Sequence, residues 1–257
     1  MEKTGDMMPD AGNIRIDGHT LLAGVIGWPV AHSRSPLMHN WWLRQGGING
    51  AYVPLPVAPG QFETAVRGLL AAGFRGVNVT IPHKESAYRI VDRLHRSARR
   101  SGSVNTLVFD SDGKIEGYST DGDGFVANVE AHGIAVNGGR ALLLGAGGAA
   151  RAIAASLLDR GMEVLVANRT RARADALAAS LEGVVVVDWA QAGSVLPGCA
   201  MLVNTTSIGM EGGAQAQFPL DLAQADPALV VCDIVYVPRR TGLLEWAAGH
   251  GLRTVDG

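Results

Sequence analysis

Cysteine is scarce in this chain: two in 257 residues, Cys199 and Cys232, both inside apolar, strand-like runs. So few thiols exclude a disulfide scaffold, and their surroundings predict two buried, reduced side chains. No His, Cys or Asp spacing suits a metal centre, so no metal is expected. Positive charge is not in excess. The formal net charge is -2, which argues against nucleic acid as the main partner. The one basic cluster, Arg93, Arg96, Arg99 and Arg100, reads as a solvated helix face. Apolar runs long enough to cross a bilayer are missing, and Met1 to Asp17 is polar and glycine-containing, unlike a signal peptide. The expectation is a lead that is disordered and without function, on a cytoplasmic protein with no membrane partner. The Gly-x-Ser-x-Gly elbow is also absent, so serine hydrolysis has no support.

What is present suffices for a large core. With 47% hydrophobic and 18% charged residues, the length predicts two domains. Leu22 to Gly27 reads as a strand ending in a Gly-Trp-Pro break, and Ser35-Pro36 opens a helix running through Leu43. Ala51 to Val57 is extended, and its prolines place it at or near a sheet edge. Gln61 to Ala72 has helical periodicity and stops at Gly73; Gly76 to Ile81 is a strand halted by Pro82, with a helix from His83. Ser103 to Phe109 and Lys114 to Tyr118 form a hairpin around Asp112-Gly113. Gly122 to His132 is a helix leading into a second unit with strands at Leu142, Val164, Val184, Met201 and Val230 to Val235. Strands alternating with helices predict largely parallel sheets. A cleft between two such units is a common place for a small-molecule site.

Leu142-Leu-Leu-Gly-Ala-Gly-Gly-Ala-Ala-Arg151 reads as a buried strand turning sharply into a helix. Gly145 permits the turn, Gly147 lets a pyrophosphate approach the backbone, and Ala150 keeps helix and strand close. The helix end then attracts the phosphates. At the end of the next strand, where an NAD site usually has Asp or Glu for the ribose, stand Asn168, Arg169, Thr170 and Arg173. Guanidinium forks suit a 2′-phosphate better than a bare hydroxyl. The cofactor inferred is NADP(H).

Reduction of a carbonyl also needs a proton donor at oxygen. Lys84 follows a strand-ending Thr-Ile-Pro-His, where active-site groups gather in such sheets. It needs partial burial and a carboxylate to hold it, and Asp121, at the junction of the two units, is placed for that. Ser33 and Ser35 precede or open a helix, so they either cap it or bind a substrate carboxylate. Asn78, Thr80 and Asn105 either bond within the core or line a polar pocket. His32 and His83 flank candidates and read as structural; Trp28, Trp41 and Trp42 read as packing residues.

Together these segments resemble the shikimate dehydrogenase family from about Leu22 to the last residue. The resemblance is carried by Gly27-Trp-Pro-Val-Ala-His-Ser-Arg-Ser-Pro36, Asn78-Val-Thr-Ile-Pro-His-Lys84, Ser103-Val-Asn-Thr106, Ser119-Thr-Asp-Gly122, Gly145-Ala-Gly-Gly-Ala149, Asn168-Arg-Thr170 with Arg173, and Asn204-Thr-Thr-Ser-Ile-Gly209, seven motifs in order. It implies an N-terminal α/β substrate domain over residues 20–121, with a mainly parallel sheet, and a C-terminal Rossmann-type NADP-binding domain over 122–257. The implied reaction is the reversible NADPH-dependent reduction of 3-dehydroshikimate to shikimate in aromatic amino-acid biosynthesis. Lys84 is then the acid/base and Asp121 its partner. Ser33 and Ser35 hold the substrate carboxylate, Thr80, Asn105 and Tyr236 bond ring hydroxyls or nearby groups, and Asn78 supports them. Gly145, Ala146, Gly147, Gly148 and Ala149 form the dinucleotide turn. Asn168, Arg169, Thr170 and Arg173 clamp the ribose phosphate, and Ile234 and Gly257 line the nicotinamide. The assembly expected is a monomer or homodimer.

The sequence departs from the family pattern twice. Ser119 replaces the usual Asn, and the chain stops at Val255-Asp-Gly257, where the family continues into a helix that returns to the first domain. A truncated or unrecorded end, an exposed apolar strip on the first domain and weaker substrate binding are the corresponding expectations. A quinate or quinate/shikimate dehydrogenase, a shikimate-like paralogue and a non-catalytic NADPH-binding module are the alternative readings.

Overall fold

A computed structural model describes residues 16–211 and 217–257. The polar lead Met1 to Asp17 lies outside them except for its last two residues. The first half runs β1 (Leu21–Gly27), α1 (Ser35–Gln45), β2 (Gly50–Pro56), α2 (Phe62–Ala71), β3 (Gly76–Val79), α3 (Lys84–Ile90), β4 (Arg93–Leu94), α4 (Arg96–Ser101), β5 (Thr106–Phe109) and β6 (Ile115–Tyr118). Helix α5 (Asp121–Ala131) leads into β7 (Arg140–Leu144), α6 (Gly148–Leu158), β8 (Glu163–Ala167), α7 (Arg171–Ser180), β9 (Val184–Val187), β10 (Met201–Asn204), β11 (Val230–Asp233), α8 (Gly242–Gly249) and β12 (Arg253–Val255).

The second sheet has the order β12-β11-β10-β7-β8-β9, with every neighbouring pair parallel. Its strands are apolar without alternation because helices cover both faces. In β7, Leu143 packs with Val164, Val203 and Ile153 on one side, while Leu142 and Leu144 pack with Leu165, Leu202 and Leu243 on the other. Strand order reverses beside β7, between its neighbours β8 and β10. This is the crevice where ligands bind in open α/β sheets.

The first sheet, β2-β1-β3-β5-β6-β4, is parallel at β1·β2, β1·β3 and β4·β6. The Asp112-Gly113 hairpin makes β5·β6 antiparallel, and β5 also runs against β3. The hairpin reverses the chain locally, so it interrupts the parallel run that the alternation of elements predicts. Its core gathers Ile26, Phe62, Val66, Val77, Val79, Leu107 and Ile115. Proline-bearing β2 lies at the edge, as its composition requires.

Two expectations change. Trp28, Trp41 and Trp42 are not core residues but stand about half exposed (49%, 51% and 49%). Helix α1 has no buried residue, and Leu37 and Met38 face outward beside the indoles. The basic cluster is divided between a two-residue strand and a helix, and two of its members have partners. Arg93 pairs with Asp110, and Arg100 with Asp159 at 3.0 Å. The two cysteines are free and buried. Among the described residues no helix is long and apolar enough to cross a membrane.

Candidate active site

Between the two sheets lies a cleft of about 970 Å³, reached from the C-terminal ends of β1, β3, β7, β10 and β11. At its floor, Lys84 Nζ donates to Asp121 Oδ2 at 2.5 Å. Their side chains are only 14% and 22% exposed. Lys84 is the first residue of α3, after the turn in which His83 N–H bonds the Thr80 carbonyl at 2.9 Å. Its own carbonyl accepts from Val104 N–H at 3.1 Å, which ties the helix start to the strand region before β5. Asp121 opens α5, where a carboxylate also benefits from the positive end of the helix.

The other oxygen of Asp121 is held as well. Asn105 Nδ2 donates to Oδ1 at 2.7 Å and to Thr120 Oγ1 at 2.9 Å. Asn105 Oδ1 accepts from Thr106 Oγ1 at 3.0 Å and from the Thr120 N–H at 3.1 Å. Thr106 Oγ1 in turn accepts from Asn78 Nδ2 at 3.0 Å, and Tyr52 donates its hydroxyl hydrogen to Asn78 Oδ1 at 2.6 Å. A continuous chain of polar groups thus runs from Tyr52 to Lys84. Neither Tyr52 nor Thr106 is visible as a site residue in the sequence, because only strand pairing brings them beside Asn78. Burial pushes the Tyr52 phenol well above its ordinary range, so it remains a hydrogen donor.

Ser33, Ser35, Asn78, Thr80, Asn105 and Tyr236 line the same cleft. Ser33 Oγ accepts the Ser35 N–H at 3.3 Å, while Arg34, at the cap position of α1, makes no side-chain cap. The turn therefore occupies one Ser33 lone pair, and Ser35 lines the cleft beside it. Tyr236 is carried by the loop after β11, in the opposite domain; burial raises its phenol above the usual range, with Arg34 and Ser33 opposing. His83 is buried rather than cleft-directed chemistry: its Nε2 lies 2.7 Å from the Val57 carbonyl, and its ring stacks on Phe62. His32 lines the cleft.

The second domain contributes Gly145 to Ala149, Asn168, Arg169, Arg173, Ile234 and Gly257. Gly145 has φ +112°, and a side chain there would meet Thr205 Oγ1 at 2.5 Å, so only glycine makes this turn. Arg171 is engaged by Asp175 and Asp188. Arg169 and Arg173 have no acidic partner among the described residues, and both border the cleft. Two unpaired guanidiniums beyond a glycine turn fit a phosphorylated ribose. Thr170 caps α7 by backbone position and offers its carbonyl to Asn168 Nδ2 at 2.8 Å; it does not line the cleft.

One support of the second domain's wall, Asp233, carries no signal in sequence, and it is held by Asn204 of the Asn204 to Gly209 motif. Asp233, 2% exposed, accepts from Asn204 Nδ2 (2.9 Å), Val235 N–H (3.0 Å) and Thr241 Oγ1 (2.7 Å). Burial raises its carboxyl above the ordinary range, against these three donors. It joins the Asn204 motif to the loop bearing Ile234 and Tyr236. Asn204 Oδ1 in turn accepts from Thr206 N–H at 3.0 Å, which shapes the loop beside the glycine turn.

Comparison with known proteins agrees with this architecture. Residues 25–107 match the family model for the shikimate dehydrogenase substrate binding domain, and 128–238 that for shikimate / quinate 5-dehydrogenase. The chain is 59% identical over 242 residues to shikimate dehydrogenase (NADP(+)) of Gluconobacter oxydans, covering 94% of this chain and 86% of that protein. The crystal structure of shikimate dehydrogenase from Aquifex aeolicus superposes with a TM-score of 0.86 at 34% identity, covering 95% and 88% of the two chains. That of Thermus thermophilus shikimate 5-dehydrogenase in complex with NADP(H) and shikimate gives 0.81 at 37% identity, covering 93% and 87%.

Proposed function

This chain belongs to the shikimate dehydrogenase family, and on that premise we propose that it reduces 3-dehydroshikimate to shikimate with NADPH, reversibly, as a step of aromatic amino-acid biosynthesis. The observation that carries the reading is the Lys84–Asp121 pair at 2.5 Å, in a cleft whose other wall holds a dinucleotide turn. When bound, NADPH supplies hydride to the carbonyl carbon.

The residues of the chain bind, orient and move a proton. Ser33 and Ser35 receive the substrate carboxylate, near the positive end of α1. Thr80, Asn105 and Tyr236 bond the ring oxygens, with Asn78 holding its neighbours in register. Lys84 donates its proton to the carbonyl oxygen, and Asp121 keeps the ammonium aimed there. Asn168, Arg169 and Arg173 hold the 2′-phosphate, Gly145 to Ala149 the pyrophosphate, and Ile234 and Gly257 face the nicotinamide. On this reading residues 20–121 are the substrate domain and 122–257 the cofactor domain. Most of the acceleration then comes from positioning and proton transfer. Two buried free thiols suit the reducing cytoplasm as its location.

The test is loss of NADPH absorbance with 3-dehydroshikimate, followed by the reverse assay with NAD and quinate. Turnover of the first pair is expected to dominate. No NADPH oxidation with 3-dehydroshikimate would overturn the assignment.

A further inference from the structure

We propose that Gly148 is a positioning residue for Lys84, and that the adjacent glycines of the dinucleotide turn serve different partners. The proposal rests on the role given to Lys84 in the proposed reaction. Gly147 lines the cleft, and a Cβ added there meets no protein atom within 4 Å. Gly148 lines the cleft too, but the side chain it lacks would point at the first domain. Its Cβ would stand 2.8 Å from Lys84 Cβ, 3.1 Å from Lys84 Cδ and 2.8 Å from Ser103 Oγ. The stem of the lysine, which belongs to the first domain, therefore rests directly on the backbone of the first turn of α6. Ser103, wholly buried, closes the same contact.

Backbone conformation does not demand glycine at this place. Gly148 lies in helix α6 and is not among the residues with positive φ. Alanine would favour the helix, so the requirement comes from what the missing side chain leaves room for. Helix α6 is backed closely by α5. A Cβ on Gly122 of α5 would already sit 2.3 Å from the Ala152 carbonyl, and Arg100 of α4 grips Asp159 at its far end. The lysine, a long stem ending in one hydrogen bond to Asp121, is the part that yields. A methyl at 148 moves the β-carbon of Lys84, so its ammonium leaves the position set by Asp121. A shift of that size costs about 10²-fold in turnover.

The experiment compares the whole chain with Gly148→Ala and Gly147→Ala. The chain has three lysines, and Lys114, on the exposed hairpin with a side chain 56% accessible, is an internal reference. Brief acetylation at mildly alkaline pH, read by peptide mass, gives the ratio of Lys84 to Lys114 modification without reference to any substrate. NADP+ affinity is measured by fluorescence, and kcat with 3-dehydroshikimate. For Gly148→Ala the ratio is expected to rise about tenfold, as the charge-assisted bond to Asp121 is lost. NADP+ affinity should fall less than in Gly147→Ala, because the added methyl at 148 is directed at Lys84 and Ser103, whereas at 147 it enters open cleft space. Gly147→Ala is expected to do the reverse. An unchanged labelling ratio in Gly148→Ala overturns the proposal, and so does a raised ratio with NADP+ affinity lost as far as in Gly147→Ala. If the parent chain does not reduce 3-dehydroshikimate, the proposed reaction falls, while the labelling ratio still decides the role of Gly148.

Discussion

Asn105 holds one oxygen of Asp121 at 2.7 Å and leaves the other to Lys84. The carboxylate is thereby fixed at both oxygens, and Lys84, the acid/base of the proposed reaction, takes its direction from a residue just before β5. Asn105→Ala should lower kcat about 10–10²-fold, the range expected when a supporting hydrogen bond no longer orients a catalytic group. NADP+ affinity, measured by fluorescence, should hold. Equal losses in cofactor binding would mean that Asn105 supports the fold as a whole.

On the proposed reading Lys84→Ala removes the proton donor, and it should reduce kcat by about 10²–10⁴. Isothermal titration with NADP+ is the control, because the lysine touches the turn but makes no polar contact with it. Collapse of NADP+ affinity would refute the assigned role.

Arg169→Asp places a carboxylate where the 2′-phosphate is expected. Loss of one charged hydrogen bond corresponds to about 10–10²-fold in kcat/KM for NADPH. The ratio of NADH to NADPH efficiency is the measurement, and it should move toward NADH. Arg173 has no acidic partner among the described residues, so Arg169→Asp with Arg173→Ala should move it further.

His83 sets a pH dependence on stability. Burial lowers its pKa below 6.5, with the Val57 carbonyl opposing. The unfolded chain therefore takes up a proton before the folded one does. The stabilising contribution is fully present above the ordinary histidine value and is lost as pH falls from there through the lowered folded value. His39, also lowered by burial, adds in the same direction. The urea midpoint should fall between about pH 7.5 and 5.5, and His83→Gln should flatten that slope.

Much of this arrangement is legible in the residues because local patterns decide it. The glycine turn, the missing acidic residue after Ala167 and the Asp112-Gly113 hairpin each rest on a few neighbouring positions. The pairing of Lys84 with Asp121 is suggested by their places at strand and helix ends, and it is the family resemblance that implies it. Other parts are decided by tertiary packing. The two-residue strand β4 is too short to carry a period. Trp41 and Trp42 have the composition of a core, yet nothing in α1 says which of its faces meets the sheet. Asp233 reads as one acidic residue in an apolar strand until Asn204 and Thr241 are brought to it.

On the proposed reading, the groups that would distinguish one phosphorylated nucleotide from another lie in the β8–α7 turn and the start of α7, and those facing the acid to be reduced come from the first domain and, with Tyr236, from the loop after β11. No residue is common to both sets. Choice of reductant and choice of acceptor are therefore separable targets for redesign, each open to change without rebuilding its counterpart. With Lys84 as the proposed proton donor, speed is not divisible in that way, because that lysine leans on both halves.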